Sequence, residues 1–203
     1  MADRQYTTEE KIEAYLGGIA ITTGGAANYI LAAQKLIEQL TNRVFKAEST
    51  ASIRLFDGND KQYLDIDDCV EVTKVEVGND GWGDSFTEIL STGINRYYTL
   101  PNNNLSDEVP IRRIGLRSRL FIIGNANHRI TAKWGYSASV PDDISFAATV
   151  IAAGMYYQNR GGKTGPVKSE RIGEYQVTYA DQGGVNDLKL ATEILQGYKK
   201  YLL

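Results

Sequence analysis

Apolar residues recur at helical spacing near both ends of the chain. In residues 25–42 they lie three or four positions apart, which predicts an amphipathic helix, and the same spacing after Gly183-Gly184 predicts a last helix. A short first helix is expected before these two, because Thr7 or Thr8 can cap it and two glutamates follow where the helix dipole favours negative charge. The predicted core positions of the two longer helices are Ala26, Ile30, Ala33, Ile37, Leu40 and Val44, and Leu188, Ala191, Leu195, Tyr198 and Leu202.

Residues 140–162 form the most apolar stretch and predict a central, buried helix. Pro141 suits the first turn of a helix, and Asp142 and Asp143 place negative charge at its N-terminus. Nearly every residue from Ile144 to Tyr157 is apolar, and several are alanine or glycine, which lets neighbouring helices approach closely. We therefore expect this helix to lie at the centre of a helical frame, with the other helices packed around it.

Between the second helix and the central helix, the pattern changes to short β-branched and aromatic segments. Residues 129–134 alternate polar and apolar side chains, and Gly, Asn and Asp separate the segments, which predicts antiparallel strands. The apolar phase slips at Thr73-Lys74, which indicates a bulge. The predicted fold class is α+β. A helical bundle frame comprises residues 1–48 and 137–203, with a hairpin near 171–180, and residues 49–136 form an inserted antiparallel β sandwich or barrel of six or seven strands.

Composition narrows the class of protein. The chain has 203 residues, and its content of 42% hydrophobic residues is typical of globular proteins. Its net charge of −3 argues against a protein that coats nucleic acid. Its single cysteine, Cys69, excludes an internal disulfide and fits a reducing compartment. The charged N-terminus does not resemble a signal peptide, and the longest apolar run is too short to cross a membrane. We expect a soluble protein with no membrane partner.

Four features of the sequence suggest a catalytic or ligand-binding site, but none of them predicts an enzyme. The segment 161–164 reads GGKT, but the glycine that a phosphate loop needs five residues before the Gly-Lys pair is replaced by Tyr157, inside a predicted helix. The aspartates of 57–68 break the spacing of a calcium loop. His128 is the only histidine, and Cys69 has no histidine near it in sequence. We expect no catalytic residue, no cofactor and no metal site.

Two segments are candidate contact surfaces. Arg160, Lys163, Lys168 and Arg171 surround the polar loop after the central helix, where they could bind DNA phosphates, bind an acidic patch on a partner, or simply face water. The chain ends in Tyr201, Leu202 and Leu203, which are poor residues to expose. They are expected to pack either on the molecule's own core or on a neighbouring protein.

The order of these segments resembles the head–tail connector proteins of tailed bacteriophages, which are also called adaptor or head-completion proteins. The motifs that carry the resemblance are aromatic-x-Gly-Tyr followed by Val-Pro-x-x-Ile-x-x-Ala, and Ile-Gly-x-Tyr-x-Val-x-Tyr. They lie at Trp134–Tyr136, Val140–Ala148 and Ile172–Tyr179. The resemblance covers residues 1–46 and 134–200, and the β region corresponds to a variable insertion.

The resemblance implies a structural virion protein that forms a ring, commonly of twelve copies, between the portal and the tail. It would complete the DNA-filled head and provide the interface for tail attachment. Such a protein is no enzyme, needs no cofactor, is assembled in the cytoplasm of the bacterial host and resides in the virion neck.

The implied partners are the portal protein, neighbouring copies in the ring, the next neck or tail protein and, non-specifically, DNA passing through the channel. The residues expected to bind partners are Arg160, Lys163, Thr164, Lys168, Arg171, Tyr198, Tyr201, Leu202 and Leu203. Two alternatives stay open: another tail or neck subunit, such as a tail terminator or baseplate protein, and an enzyme whose site forms only in three dimensions.

Overall fold

A computed structural model describes residues 5–80, 85–161, 169–172, 175–178 and 184–200. Its contacts divide the chain into two compact units. Unit 1 comprises residues 1–43 and 140–203, and unit 2 comprises residues 44–139. The elements in chain order are α1 (Glu9–Tyr15), α2 (Ala27–Thr41), β1 (Ser52–Gly58), β2 (Tyr63–Gly78), β3 (Phe86–Ile89), β4 (Tyr97–Leu100), β5 (Ile111–Leu116), β6 (Gly124–Trp134), α3 (Asp142–Gly161), β7 (Ser169–Ile172), β8 (Tyr175–Thr178) and α4 (Gly184–Gly197).

Helix α3 is the centre of unit 1, because α1, α2 and α4 each contact it. Its small side chains allow this packing: Ala147, Ala148, Ala152 and Ala153 are each at most 1% exposed. The burial ends near the C-terminus of α3, where Tyr157 is 63% exposed. The predicted hairpin is also present in unit 1, where β7 pairs antiparallel with β8.

Two predicted core positions are wrong. Leu40 and Leu188 are 48% and 52% exposed, respectively. In α2 the buried positions are Ile30, Ala33, Ile37 and Thr41, so the inward-facing stripe passes through the threonine and leaves the adjacent leucine on the outer side. In α4 the buried face is narrower than the sequence suggested: among its described side chains, those that are buried are Ala191 and Leu195.

The start of α2 is held by a carboxylate from α1. Helix α2 has no capping side chain of its own. The Glu9 carboxylate instead accepts hydrogen bonds from the backbone N–H groups of Gly24, at 3.0 Å, and Ala26, at 2.9 Å. The neighbouring Glu13 carboxylate accepts the N–H of Ile21 at 2.6 Å. Two acidic residues of α1 therefore satisfy backbone donors of the connection to α2.

Unit 2 is built on one antiparallel sheet of six strands, in the order β1-β6-β2-β5-β4, with β3 also paired to β2. The predicted number of strands is confirmed. Closure into a sandwich or barrel is not confirmed, because the sheet ends in β1 on one side and β4 on the other. The predicted bulge is confirmed, since the register between β2 and β6 shifts between Val72 and Lys74.

The core of unit 2 is a cluster of buried side chains from the sheet and its connections. The two segments that enter and leave the unit run side by side, because the N–H of Ala47 donates to the carbonyl of Ser137 at 2.9 Å and the N–H of Tyr136 donates to the carbonyl of Val44 at 2.8 Å. The buried cluster contains Leu64, Ile66, Cys69, Val75, Val77, Ile89, Ile111, Ile114, Leu116, Phe121, Ile130, Ala132 and Trp134.

Candidate partner interface

The segment after α4 is attached to the C-terminal end of α2. The Arg43 Nε donates to the carbonyl of Tyr198 at 2.6 Å, and the N–H of Lys200 donates to the carbonyl of Thr41 at 2.8 Å. The Asn42 side chain, which follows the last turn of α2, donates to the carbonyl of Lys200 at 3.2 Å. One of the carbonyl groups that a helix leaves unsatisfied at its end is thus used to hold residues 198–200 in place.

Tyr198, one of the expected partner-binding residues, has contacts within unit 1. Its hydroxyl group donates to the Asp143 carboxylate at 2.9 Å, at the N-terminus of α3, and its side chain is half-buried. The other expected residues of this terminus, Tyr201, Leu202 and Leu203, lie outside the described residues. The described part of this segment therefore ends at Lys200, which is hydrogen-bonded beside the end of α2.

The basic segment after α3 is described only in part. Arg160 belongs to the last turn of α3, and Arg171 belongs to β7. Their backbones are described, whereas their side chains are not. Lys163, Thr164 and Lys168 lie outside the described residues. Whether these five residues form one surface stays a prediction.

Cys69 and His128, the two side chains with the strongest potential for chemistry, lie in the interior of unit 2. Burial raises the pKa of the Cys69 thiol to about 12, with the nearby Asp68 carboxylate as a second cause, so the thiol is protonated at neutral pH. Burial lowers the pKa of His128 below its usual value. Its Nδ1 accepts the N–H of Gly78 at 3.2 Å, which leaves Nε2 to donate to the carbonyl of Ile122 at 3.1 Å. The prediction that Cys69 packs as a small buried residue is confirmed.

Three of the aspartates of 57–68 form side-chain contacts within unit 2. The Asp57 carboxylate accepts the N–H of Ala126 at 2.6 Å, while Asp65 pairs with Arg113 and Asp67 with Arg54, each at 2.6 Å. Over the described part of the chain, no group of three His, Cys, Asp or Glu residues could hold a metal ion.

Among the residues that the structure describes, clefts occur in both units. The cleft of unit 1 has a volume of about 200 Å³ and is lined by Thr22, Gly25, Tyr29, Tyr156 and Asn159. The cleft of unit 2, of about 570 Å³, lies beside β2 and β4. Its carboxylate, Glu71, is already paired with Lys133 at 2.7 Å.

The sequence reasoning missed a second group of cations. Residues 112–119 read RRIGLRSR, with four arginines in eight positions. Two of these, Arg117 and Arg119, are exposed at one end of the sheet, and the exposed Arg96 lies beside them. The density of arginine was a visible signal, but only the pairing of β4 with β5 shows that residues 96 and 117 are neighbours.

No described helix has both the length and the apolar character that crossing a bilayer requires.

Comparison by sequence gives no match, either to a family model or to a curated protein. Comparison of structures gives several similar chains, and three of them come from gene transfer agent (GTA) particles. A chain of the virion of a native particle is 17% identical, with a TM-score of 0.56, and the match covers 96% of this chain and 89% of that one. A chain of the neck of an empty particle, determined with C6 symmetry, is 14% identical, with a TM-score of 0.52 and coverage of 91% and 82%. A chain of the neck of a native particle, determined with C12 symmetry, is 15% identical, with a TM-score of 0.51 and coverage of 88% and 83%.

These matches confirm the predicted resemblance at the level of the fold. They extend over both units of the chain, including the β region that the sequence motifs did not cover. The same fold therefore occurs in chains from the necks and the virion of gene transfer agent particles.

Proposed function

We propose that this chain is a structural protein of the neck of a tailed phage or phage-like particle, where copies of it form a ring between the portal and the tail. The observation that carries the proposal is the match of nearly the whole chain, in both units, to chains from necks and a virion of gene transfer agent particles. Two of those necks were determined with C6 and C12 symmetry, which fits a ring of identical subunits.

The sequence motifs support the same role independently. Trp134–Tyr136, Val140–Ala148 and Ile172–Tyr179 carry the connector pattern, and all three fall on or beside elements that the structure contains, namely β6, α3 and the hairpin of β7 and β8. No catalytic step or cofactor is part of the proposal. Its partners are the portal, the neighbouring copies and the next neck or tail protein, and its place is the virion neck.

We propose further that the last three residues dock on the portal or on a neighbouring copy. Residues 198–200 are held against α2 by three hydrogen bonds, so the C-terminus starts from a fixed position. Tyr201, Leu202 and Leu203 are apolar or amphipathic side chains, and each fully buried leucine contributes roughly 1.5–3 kcal/mol. The alternative is that they pack on unit 1 itself.

Deletion of residues 201–203 separates these two possibilities. If the residues dock, the truncated protein melts within about 1 °C of the full chain but no longer co-purifies with portal rings, because the lost contacts lie on the partner. If they pack on unit 1, Tm falls by several degrees, at roughly 2–4 °C per kcal/mol for a chain of this size. A truncated protein that melts early and still binds the portal would refute docking.

The basic segment is tested in the same co-purification. Replacing Lys163 and Lys168 by alanine should weaken portal or neighbour binding if these lysines meet an acidic patch, and Arg112→Ala is the control, because Arg112 is an exposed arginine of unit 2. Equal effects from both variants would assign no role to the segment.

A further inference from the structure

Two backbone contacts join the segments that carry four cations at one end of the sheet of unit 2. The N–H of Arg117 donates to the carbonyl of Arg96 at 3.1 Å, at the point where β4 begins and β5 ends. The N–H of Phe121 donates to the carbonyl of Lys61 at 2.8 Å, so the segment that leads from β5 to β6 also meets the segment before β2. We call this surface the basic tip: Lys61, Arg96, Arg117 and Arg119.

No carboxylate that the structure describes is paired with a cation of the basic tip. All four side chains are exposed, and none of them forms an ion pair with any residue that the structure describes. The one carboxylate that the same backbone contacts bring to this end is Asp60, whose N–H donates to the carbonyl of Phe121 at 2.8 Å. Elsewhere on the sheet, four cations are paired: Arg54 with Asp67, Arg113 with Asp65, Lys74 with Glu76, and Lys133 with Glu71. Arg112 and Arg129 form no ion pair with a residue that the structure describes, but the backbone contacts at the tip do not bring them together with other cations.

The remaining polar groups of the tip are those that accompany arginine at phosphate backbones. Ser91, Thr92 and Asn95 lie in the loop before Arg96, and the Ser118 hydroxyl group donates to the carbonyl of Ile94 at 3.2 Å, which joins the two loops. In protein–DNA complexes, arginine, lysine, serine, threonine and asparagine are among the side chains that bind phosphate oxygens. Guanidinium groups match phosphate oxygens with two parallel hydrogen bonds.

We propose that the basic tip binds the phosphate backbone of duplex DNA without sequence preference. This inference rests on the proposed function, because a neck protein works beside packaged DNA, and that setting favours DNA over an acidic protein surface. It assigns the DNA contact to Lys61, Arg96, Arg117 and Arg119 of unit 2, which the basic segment after α3 does not include.

Binding of the purified full chain to a fluorescein-labelled 30-base-pair duplex, measured by anisotropy between 50 and 200 mM salt, tests the proposal. Three to four phosphate contacts predict that the logarithm of the binding constant falls with the logarithm of salt with a slope of about −3 to −4. Arg117→Glu and Arg119→Glu should each weaken binding roughly tenfold at low salt and reduce the slope by about 1. Two unrelated duplex sequences should bind equally.

Two matched variants serve as controls. Arg112→Glu makes the same change of charge on an exposed arginine of β5 that lies about 16 Å along the strand from residue 117, and it should leave binding within twofold. Ile94→Ser removes an apolar side chain of the tip that is 80% exposed, and it should also leave DNA binding unchanged. Circular dichroism checks that all variants are folded.

Three results would overturn the proposal. They are no binding by the wild type at 50 mM salt, an equal loss from Arg112→Glu and Arg117→Glu, or a loss from Ile94→Ser as large as that from Arg117→Glu. The first would leave an acidic protein surface as the ligand class for the tip. Because DNA binding is measured on the isolated chain, its failure does not affect ring formation, and a failure to bind the portal does not affect this measurement.

Discussion

Gly135 shows how one residue sets the geometry of a motif. It lies between Trp134 and Tyr136 in the aromatic-x-Gly-Tyr pattern and has φ of +141°, a region that side chains other than glycine rarely adopt. A Cβ atom at this position would lie 2.3 Å from the Cα of Ala47. The glycine therefore permits the close approach of the two segments at the base of unit 2.

Gly135→Ala should lower the free energy of unfolding by at least about 1–3 kcal/mol, because the new Cβ adds both backbone strain and a collision with Ala47. Thermal melting measures the loss. Gly154→Ala is the control: Gly154 lies in α3, and a Cβ there meets no atom within 4 Å. It should stabilise the helix by up to about 1 kcal/mol. Equal destabilisation by both substitutions would contradict the role given to Gly135.

We expect His128, the only histidine in the chain, to make the stability depend on pH near neutrality. Burial lowers its pKa in the folded state. As the pH falls below about 6.5, the unfolded chain therefore takes up the proton first, and stability decreases until the lowered pKa of the folded state is reached. Below pH 6.5, the free energy of unfolding should therefore decrease as the pH falls, with a slope approaching about 1.4 kcal/mol per pH unit.

Urea unfolding at pH 7.5, 6.5 and 5.5 measures this slope. His128→Gln, whose amide can both accept from Gly78 and donate to Ile122, should unfold with nearly constant free energy over the same range. If the variant keeps the full slope of the wild type, another group causes the pH dependence.

At the scale of elements, local sequence patterns predicted the features that are set by residues close together in the sequence. The helix boundaries near Thr8 and Pro141 follow from capping and dipole chemistry, and the bulge at Thr73-Lys74 follows from a break in alternation. In α2, Thr41 is buried and Leu40 is exposed. The sequence could not predict this, because the spacing of apolar residues allows either position to face the core. The open edges of the sheet, the basic tip and the attachment of residues 198–200 depend on partners distant in sequence.

The link between α1 and α2 gives a test at this scale. Glu9→Ala removes the acceptor for the N–H groups of Gly24 and Ala26 and should destabilise the chain by about 1–2 kcal/mol, as the loss of a helix cap does. Glu193→Ala, at an exposed glutamate of α4 that lies 4.0 Å from Lys189, should cost at most about 0.5 kcal/mol. Thermal melting distinguishes the two. A smaller loss at Glu9 than at Glu193 would mean that water replaces the cap.

At the scale of the whole molecule, residues 49–136 are predicted to be a removable insertion. The segments on either side of them run together, with 2.9 Å between the N of Ala47 and the O of Ser137, so a short Gly-Ser linker can join residues 48 and 137. Loop-closure entropy changes by only about 0.6 kcal/mol per doubling of length. The shortened chain should keep a cooperative helical melt by circular dichroism. A gradual, non-cooperative melt would show that the helices need the β region in order to fold.

The central claim is that copies of this chain form a ring in a virion neck. Cryo-electron microscopy of tailed particles that contain this chain, with the neck reconstructed without imposed symmetry, tests it most directly. The account predicts a ring of copies, twelve if the C12 neck is a guide, between the portal and the tail, with both units fitted in every copy. A neck in which the density between portal and tail fits other proteins, with this chain found only elsewhere in the particle, such as at the tail tip, would contradict it.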